Sequence, residues 1–342
     1  GTALAWSEAA WADCATTPAG HGTVTLVCGN SITSSSINHN GNNPSTIANY
    51  QSIAAPLNVT VNSGVTISGW GLIVYNGGQP ASATSRPLNV VNNGTVSHTV
   101  GWDDSSESDG LTIATNSGPI RYSGNGSVTT NGTANASGNF VPSTALSILA
   151  SGLGNSVTVG SLAAPVSATF SGEGGIRLVA ESSSLDAWFA GGTITATRQG
   201  NGINALDIQA ADSVNLTMTG RTVVNGGISA SLTTGPGHNL SSLLTIATDA
   251  QVTSTYSAGA GLTAFSREAG ANVTLTSGGL FNVANVGVQL LPIGGAARFT
   301  TEAGTAINQT CTTRAGRTGM GFTPAGNGAV IVGPFSRVTP GR

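Results

Sequence analysis

Apolar and polar residues alternate in short runs along most of this chain, and the runs recur in pairs. One pair lies between Leu206 and Gly220, where the runs LDI and VNLTM flank a small polar turn. Strict alternation is typical of β-strands, because successive side chains of a strand point to opposite faces. Similar pairs begin at Leu57, Leu88, Leu111, Leu146, Leu244, Leu262 and Val288. This self-similarity indicates one supersecondary unit repeated many times, as in a solenoid.

Asn and Gly fill many of the links between these runs, for example at 62–64, 92–94 and 116–118. Both residue types tolerate the left-handed backbone conformation that sharp corners require. We therefore predict an all-β parallel β-helix (β-solenoid) whose inward Val, Leu, Ile and Ala residues stack from coil to coil.

The regular coils are predicted over residues 57–342, behind an N-terminal cap over residues 1–56. Within the cap, ALAWSEAAWAD at residues 3–13 is the one stretch with helical character. We expect it to cover the open end of the solenoid, since an uncovered coil exposes strand edges that template aggregation. A frayed tail is the alternative.

The composition limits the partners. Charged residues make up 7% of the 342 residues, against about 25% in ordinary soluble proteins. A net charge of −3 without a basic cluster argues against nucleic acid as a partner. No apolar run approaches the roughly 18 residues of a transmembrane helix, so no membrane span is expected.

Cys14 and Cys28 bracket the loop ATTPAGHGTVTLV, whose Gly-rich turn and apolar second half predict a small hairpin. We predict a disulfide between them, because a bridge closing a loop of this size stabilises a fold by about 3 kcal/mol. Two buried thiols are the alternative. Disulfides persist outside the cytosol, which favours an extracellular location. Cys311 is the unpaired third cysteine of this prediction. Three alternatives stay open for it: a buried thiol, a disulfide to a second chain, or a disulfide to a cysteine outside this sequence.

Two segments are candidates for contact or for metal binding. Segment 69–87 is interpreted as an excursion in which the run LIVY at 72–75 forms a strand leading into a tight turn. This segment and the loop 101–110 are expected to project from one face of the solenoid, with Trp70, Tyr75 and Trp102 as contact residues. The second segment contains the densest acidic cluster, formed by Asp103, Asp104, Glu107 and Asp109. Such oxygen-rich loops can hold calcium, the one cofactor considered. The spacing does not match an EF-hand, so a solvated acidic loop is the alternative.

Catalytic residues are not predicted, and we do not expect an enzyme. Polysaccharide-active β-helices need converging carboxylates, or a carboxylate-bound cation with a basic residue, on one exposed face. The candidate pairs are Glu173 with Arg177, Asp207 with Asp212, and Arg267 with Glu268. None forms a recognisable set. The four histidines lack a nucleophile elbow and zinc spacing.

The LxIxTxxxVxxT coils from Leu57 to about Phe299, with the C…GTVTLVC element at Cys14–Cys28, resemble the secreted passenger domains of Gram-negative type V autotransporters. The resemblance implies a right-handed parallel β-helix, export through a C-terminal membrane barrel, and adhesion or self-association at the bacterial cell surface. No barrel sequence follows Phe299, so the translocator would have to lie outside this chain or have been cleaved off.

We therefore expect an extracellular structural or adhesive protein whose polar Thr, Ser and Asn ladders contact a second solenoid or a host or matrix glycan. Low charge leaves little long-range repulsion between rods, and a regular rod presents the same face many times. The alternatives are a polysaccharide-active β-helix enzyme, a phage-type tailspike, and a surface-layer or filament subunit.

Overall fold

A computed structural model describes residues 14–17, 23–34, 56–76, 86–99, 109–131, 143–199, 203–233, 242–256, 260–284, 286–293 and 295–309, with the backbone of 320–322, 328–332 and 337–339. Every regular element in these ranges is a β-strand. A helix of the length and apolarity needed to cross a membrane is absent from them.

The first half of the chain, in order, contains β1 Ala15–Thr17, β2 Val24–Cys28, β3 Ile32–Ser34, β4 Leu57–Val61, β5 Thr66–Gly69, β6 Leu72–Asn76, β7 Leu88–Asn92, β8 Thr95–His98, β9 Leu111–Thr115, β10 Ile120–Ser123, β11 Ser127–Thr130, β12 Thr144–Ala150, β13 Val157–Val159, β14 Thr169–Gly172, β15 Gly174–Ala180 and β16 Leu185–Ala190. The second half contains β17 Thr193–Ala196, β18 Leu206–Ala210, β19 Val214–Thr219, β20 Val223–Asn225, β21 Ile228–Thr233, β22 Leu243–Thr248, β23 Gln251–Ser254, β24 Ala260–Arg267, β25 Gly270–Leu275, β26 Leu280–Val283, β27 Val286–Ile293, β28 Ala297–Thr301, β29 Ala306–Gln309, β30 Met320–Phe322, β31 Gly328–Val332 and β32 Arg337–Thr339.

These strands form three long sheets that wrap around one core. Sheet 1 has the order β1-β2-β4-β7-β10-β13-β16-β19-β22-β25-β28-β31, and sheet 2 has the order β3-β5-β8-β11-β14-β17-β20-β23-β26-β29-β32. Sheet 3 has the order β6-β9-β12-β15-β18-β21-β24-β27-β30. Successive strands of the chain enter different sheets and pair in parallel with the next coil. Within the described residues, nine coils give one strand to every sheet. The predicted all-β fold and parallel β-helix are confirmed.

The core is a set of aliphatic columns that run through the coils. In sheet 1, Leu57, Leu88 and Ile120 are in register and fully buried. Each strand alternates buried and half-buried positions, which is the pattern predicted from the sequence. Burying a Val, Leu or Ile side chain stabilises the fold by about 1.5–3 kcal/mol, so the columns hold neighbouring coils together.

The N-terminal strands correct the predicted boundary at residue 57. As predicted, β1 and β2 form an antiparallel hairpin, and a disulfide joins Cys14 to Cys28. However, β2 also pairs in parallel with β4, and β3 pairs in parallel with β5. The run VTLVC therefore serves as the first strand of sheet 1, and the solenoid begins one coil earlier than predicted. The expected capping helix at 3–13 and Cys311 lie outside the described residues.

Candidate functional site

The outward face of sheet 2 carries two columns of hydroxyl side chains through five successive coils. These coils run from β5 to β17 along sheet 2. The two columns consist of Thr66, Thr95, Ser127, Thr169 and Thr193, and of Ser68, Ser97, Thr129, Ser171 and Thr195. All of these side chains are exposed or half-buried. The five coils thus present a continuous face, called here the hydroxyl face.

The parallel ladder fixes the spacing of the hydroxyl face. Neighbouring strands lie about 4.8 Å apart, and alternate residues of one strand lie about 6.6 Å apart. Ser127 Oγ donates to Thr95 Oγ1 at 3.2 Å, and Thr33 Oγ1 lies 3.2 Å from Ser68 Oγ. A hydroxyl donates one hydrogen bond and accepts two, so one bond within the ladder leaves capacity for an outside partner.

Amide side chains extend the second column beyond the hydroxyl face. Asn225 Nδ2 donates to Thr195 Oγ1 at 3.2 Å, and Asn308 Nδ2 donates to Asn282 Oδ1 at 2.8 Å. The strands of sheet 2 from β3 to β29 contain no Asp, Glu, Lys or Arg. The strands on this side of the rod are therefore uncharged, and the Glu173–Arg198 ion pair lies at the corner beside Thr129 and Ser171.

The outward faces of the other two sheets are different. On sheet 1, Arg121, Asp186 and Arg298 interrupt a column of Asn and Thr. The outward face of sheet 3 carries the charged Arg177 and Asp207 and, two coils farther along, the half-buried apolar Phe265. Among the described residues, the continuous uncharged polar surface is confined to sheet 2.

The structure describes two of the three predicted aromatic contact residues, Trp70 and Tyr75, and places both in a regular coil. Trp70 lies at the corner between β5 and β6, where its ring meets His98 edge-on with centroids 5.6 Å apart. Tyr75 lies within β6, which pairs with β9 of the next coil. β6 therefore confirms the strand predicted at 72–75, whose apolar residues alternate in the same way as those of the neighbouring strands. Trp102 lies outside the described residues.

Of the predicted acidic cluster, only Asp109 falls within the described residues, whereas Asp103, Asp104 and Glu107 lie outside them. Asp109 Oδ1 accepts a hydrogen bond from the Thr144 backbone N–H at 2.6 Å. This contact ties the corner before β9 to the start of β12. No group of three or more His, Cys, Asp and Glu in the described part of the chain has a geometry suited to a metal ion. The calcium site stays a prediction.

Glu173 also anchors a corner. Its Oε1 lies 3.7 Å from Arg198 Nη1, and its Oε2 accepts a 3.4 Å hydrogen bond from the Ser143 backbone N–H. The structure thus pairs Glu173 with Arg198 rather than with Arg177, the partner considered from the sequence. Arg267 ends β24, and Glu268 has a φ of 59° in the turn that follows, with both side chains exposed.

Asp207 has the most perturbed carboxyl environment among the described residues. It lies half-buried on the outward face of sheet 3, in register with Arg177 and Ser229. Burial raises the pKa of Asp207, while hydrogen bonds from Gln209 and Ser229 and the charge of Arg177 act in the opposite direction. The Gln209 Nε2 to Asp207 Oδ2 distance is 3.1 Å. A shallow groove lined by Arg177, Glu181 and Gln209 runs along this face.

The raised pKa of Asp207 predicts a pH dependence of stability. A carboxyl whose pKa is higher in the folded than in the unfolded protein stabilises the fold while it is protonated. This stabilisation is fully present below the unfolded-state pKa of about 3.9, and it is lost as the pH rises through the folded-state pKa. In Asp207→Asn, the decrease in Tm between about pH 3.5 and pH 7 that is due to this group should therefore disappear. Arg177→Gln should enlarge that decrease, because it removes a charge that lowers the pKa. Thermal melts of the two variants between about pH 3.5 and pH 7 test these predictions. If Tm of Asp207→Asn depends on pH as strongly as Tm of the wild type, the raised pKa of Asp207 is contradicted.

The sequence suggested polar ladders but could not locate them, because the columns exist only once the register between coils is known. The described surface therefore provides an uncharged face on sheet 2 that can form hydrogen bonds, and a groove with charged residues on sheet 3.

No protein-family model, no curated protein and no solved structure matches this chain.

Proposed function

We propose that this chain is an extracellular structural or adhesive surface protein that acts by self-association, or by attachment to a host or matrix glycan, through the faces of its solenoid. The observation that carries the proposal is the hydroxyl face of sheet 2. We further propose that the chain is a passenger domain of a type V autotransporter at the bacterial cell surface. The repeated coils and the disulfide-bonded hairpin at Cys14–Cys28 support this assignment.

A neutral hydroxyl face suits contact between long rods. Each hydrogen bond contributes only about 0.5–1.5 kcal/mol net, so a single coil binds weakly. The face repeats through five coils, and such contacts add because they form within one complex. Since the face has no charge, association through it should change little with salt, unlike association through ion pairs.

Sedimentation velocity on the purified chain tests self-association. Over a wide concentration range, we expect growth from monomer into dimers and larger ordered species. Raising the salt concentration from about 0.05 M to about 0.5 M should leave this growth nearly unchanged, because screening acts on charges. A strict monomer at every concentration would rule out self-association as the function.

Attachment to a glycan is tested separately on a glycan array. Binding that is lost in Thr129→Lys/Thr195→Lys would place attachment on the hydroxyl face. Both residues face outward in the second column, so the lysines should leave the core intact. Binding that survives this variant would move attachment to another face.

A polysaccharide-active enzyme is the second candidate, and the groove on sheet 3 favours it. Arg177 and Gln209 line this groove, and Asp207 lies next to it, in register with Arg177 and hydrogen-bonded to Gln209. Carboxyls with a perturbed pKa beside a groove are frequent catalytic acids. Incubation with anionic polysaccharides, followed by chromatography of the products, tests this activity. Cleavage that disappears in Asp207→Asn would support the enzyme, and intact polymers would exclude it for the substrates used.

A further inference from the structure

The outer edge of β2 is covered in an unusual way. On one side β2 pairs in parallel with β4, as expected for a solenoid. On the other side it pairs antiparallel with β1, through the register Ala15↔Val27, Thr16↔Leu26 and Thr17↔Thr25. In the described part of the chain, β1 is the strand that lies on this edge, and all other paired named strands are parallel.

The covering strand depends on the disulfide. β1 has three residues, and a short antiparallel pair of strands is marginally stable in water by itself. Cys14 directly precedes β1 and is bonded to Cys28, the last residue of β2. Cys28 is fully buried and Cys14 nearly so, so the bond fastens β1 to the hydrophobic core. Without the bond, β1 keeps only its short ladder.

The edge beneath β1 is well suited to pairing with another chain. β2 reads VTLVC, which combines β-branched residues with no charge and no proline. Segments of this kind template strand addition when their edge is open. The corresponding first strand of sheet 2, β3, has three residues, and short edges pair poorly. Of these two N-terminal edges, β2 is the longer, and it is the edge that β1 covers with the help of the disulfide.

We propose that the Cys14–Cys28 disulfide locks a dimerisation edge, and that its reduction lets β2 pair with β2 of a second copy. A thiol reductant supplies two electrons and two protons. The S–S bond breaks to give two thiols, and the reductant becomes a disulfide. β1 then leaves the edge. A second copy that approaches about a two-fold axis presents its β2 antiparallel, which is the orientation β1 occupies.

The resulting dimer joins two solenoids end to end at their N-terminal coils. It is distinct from the lateral association proposed above, because the hydroxyl face does not take part. The lateral contact can be suppressed with Thr129→Lys/Thr195→Lys, and Cys311→Ser removes bridges through the third cysteine. In that combined background, pairing through β2 is measured without the lateral contact.

The test is sedimentation velocity and small-angle scattering of the full chain in this background, before and after treatment with dithiothreitol. The oxidised protein should be a monomer. The reduced protein should form a dimer with about twice the maximum dimension, and circular dichroism should report whether the β structure is retained. Cys14→Ser/Cys28→Ser should dimerise without reductant, which gives a second route to the open edge.

A matched variant identifies the edge. Thr25→Lys/Val27→Lys places charges at two half-buried, outward-facing positions of β2, and the same charges from both copies would then meet in the dimer. We expect this variant to stay monomeric after reduction. A reduced, folded protein that remains a monomer would overturn the proposal, and so would a dimer that persists in Thr25→Lys/Val27→Lys. Failure of lateral association leaves this test unaffected.

Discussion

Phe170→Ala is expected to lower the free energy of unfolding by about 3–5 kcal/mol. Phe170 lies in β14, is fully buried, and stands in register with Val128 and Ile194 of the adjacent coils. Its ring centroid is 6.5 Å from that of Tyr122. Because hydrogen-bonded coils lie above and below, the surroundings cannot close the cavity without breaking the ladder of sheet 2.

Phe265→Ala is the matched control. Phe265 lies half-buried on the outward face of sheet 3, where truncation leaves no enclosed cavity. We expect a loss of about 1 kcal/mol or less for this variant. Equilibrium unfolding in urea, followed by circular dichroism, measures both. Equal losses for the two variants would contradict the assignment of Phe170 to the core.

Gly124→Ala is expected to cost about 3 kcal/mol or more, from backbone strain and steric overlap together. Gly124 has a φ of 100° at the corner between β10 and β11. A Cβ atom there would lie 2.2 Å from the Asn92 backbone oxygen of the preceding coil. Since that oxygen belongs to the last residue of β7, relief requires the two coils to separate just before the hydroxyl face.

Gly64→Ala separates the two contributions. Gly64 has a φ of 78°, and a Cβ atom at this position would meet no heavy atom within 4 Å. This variant should therefore show the conformational cost alone, about 1–2 kcal/mol. Urea unfolding of the two alanine variants measures the difference. If Gly124→Ala is no less stable than Gly64→Ala, close stacking of the corners is not important for stability.

The alternation of apolar residues was sufficient to predict the parallel β-helix and most of its core. Leu57, Leu88 and Leu206 all begin buried strands, as expected from runs that put every second side chain inside. The run at 24–28 shows the same alternation, but Cys28 and its partner Cys14 directed attention to the hairpin alone. The structure shows that a strand can close a hairpin and start a sheet at once.

The surface could be predicted only in part, because it depends on which residues of different coils become neighbours. Arg177 and Asp207 belong to successive coils, and loops of variable length separate such strands. The sequence therefore suggested Asp212 as the partner of Asp207. The same uncertainty hid the hydroxyl face, since Thr129 and Thr195 share a column only after β14 is placed between them.

The most direct test of the proposed function compares sedimentation velocity of the oxidised wild-type chain with two lysine variants. Thr129→Lys/Thr195→Lys charges the hydroxyl face, and Thr158→Lys/Thr245→Lys adds the same charge to outward positions of sheet 1. We expect the first variant to stay monomeric at concentrations where the wild type and the second variant associate. Association of the first variant at wild-type concentrations would contradict the claim that sheet 2 is the contact face.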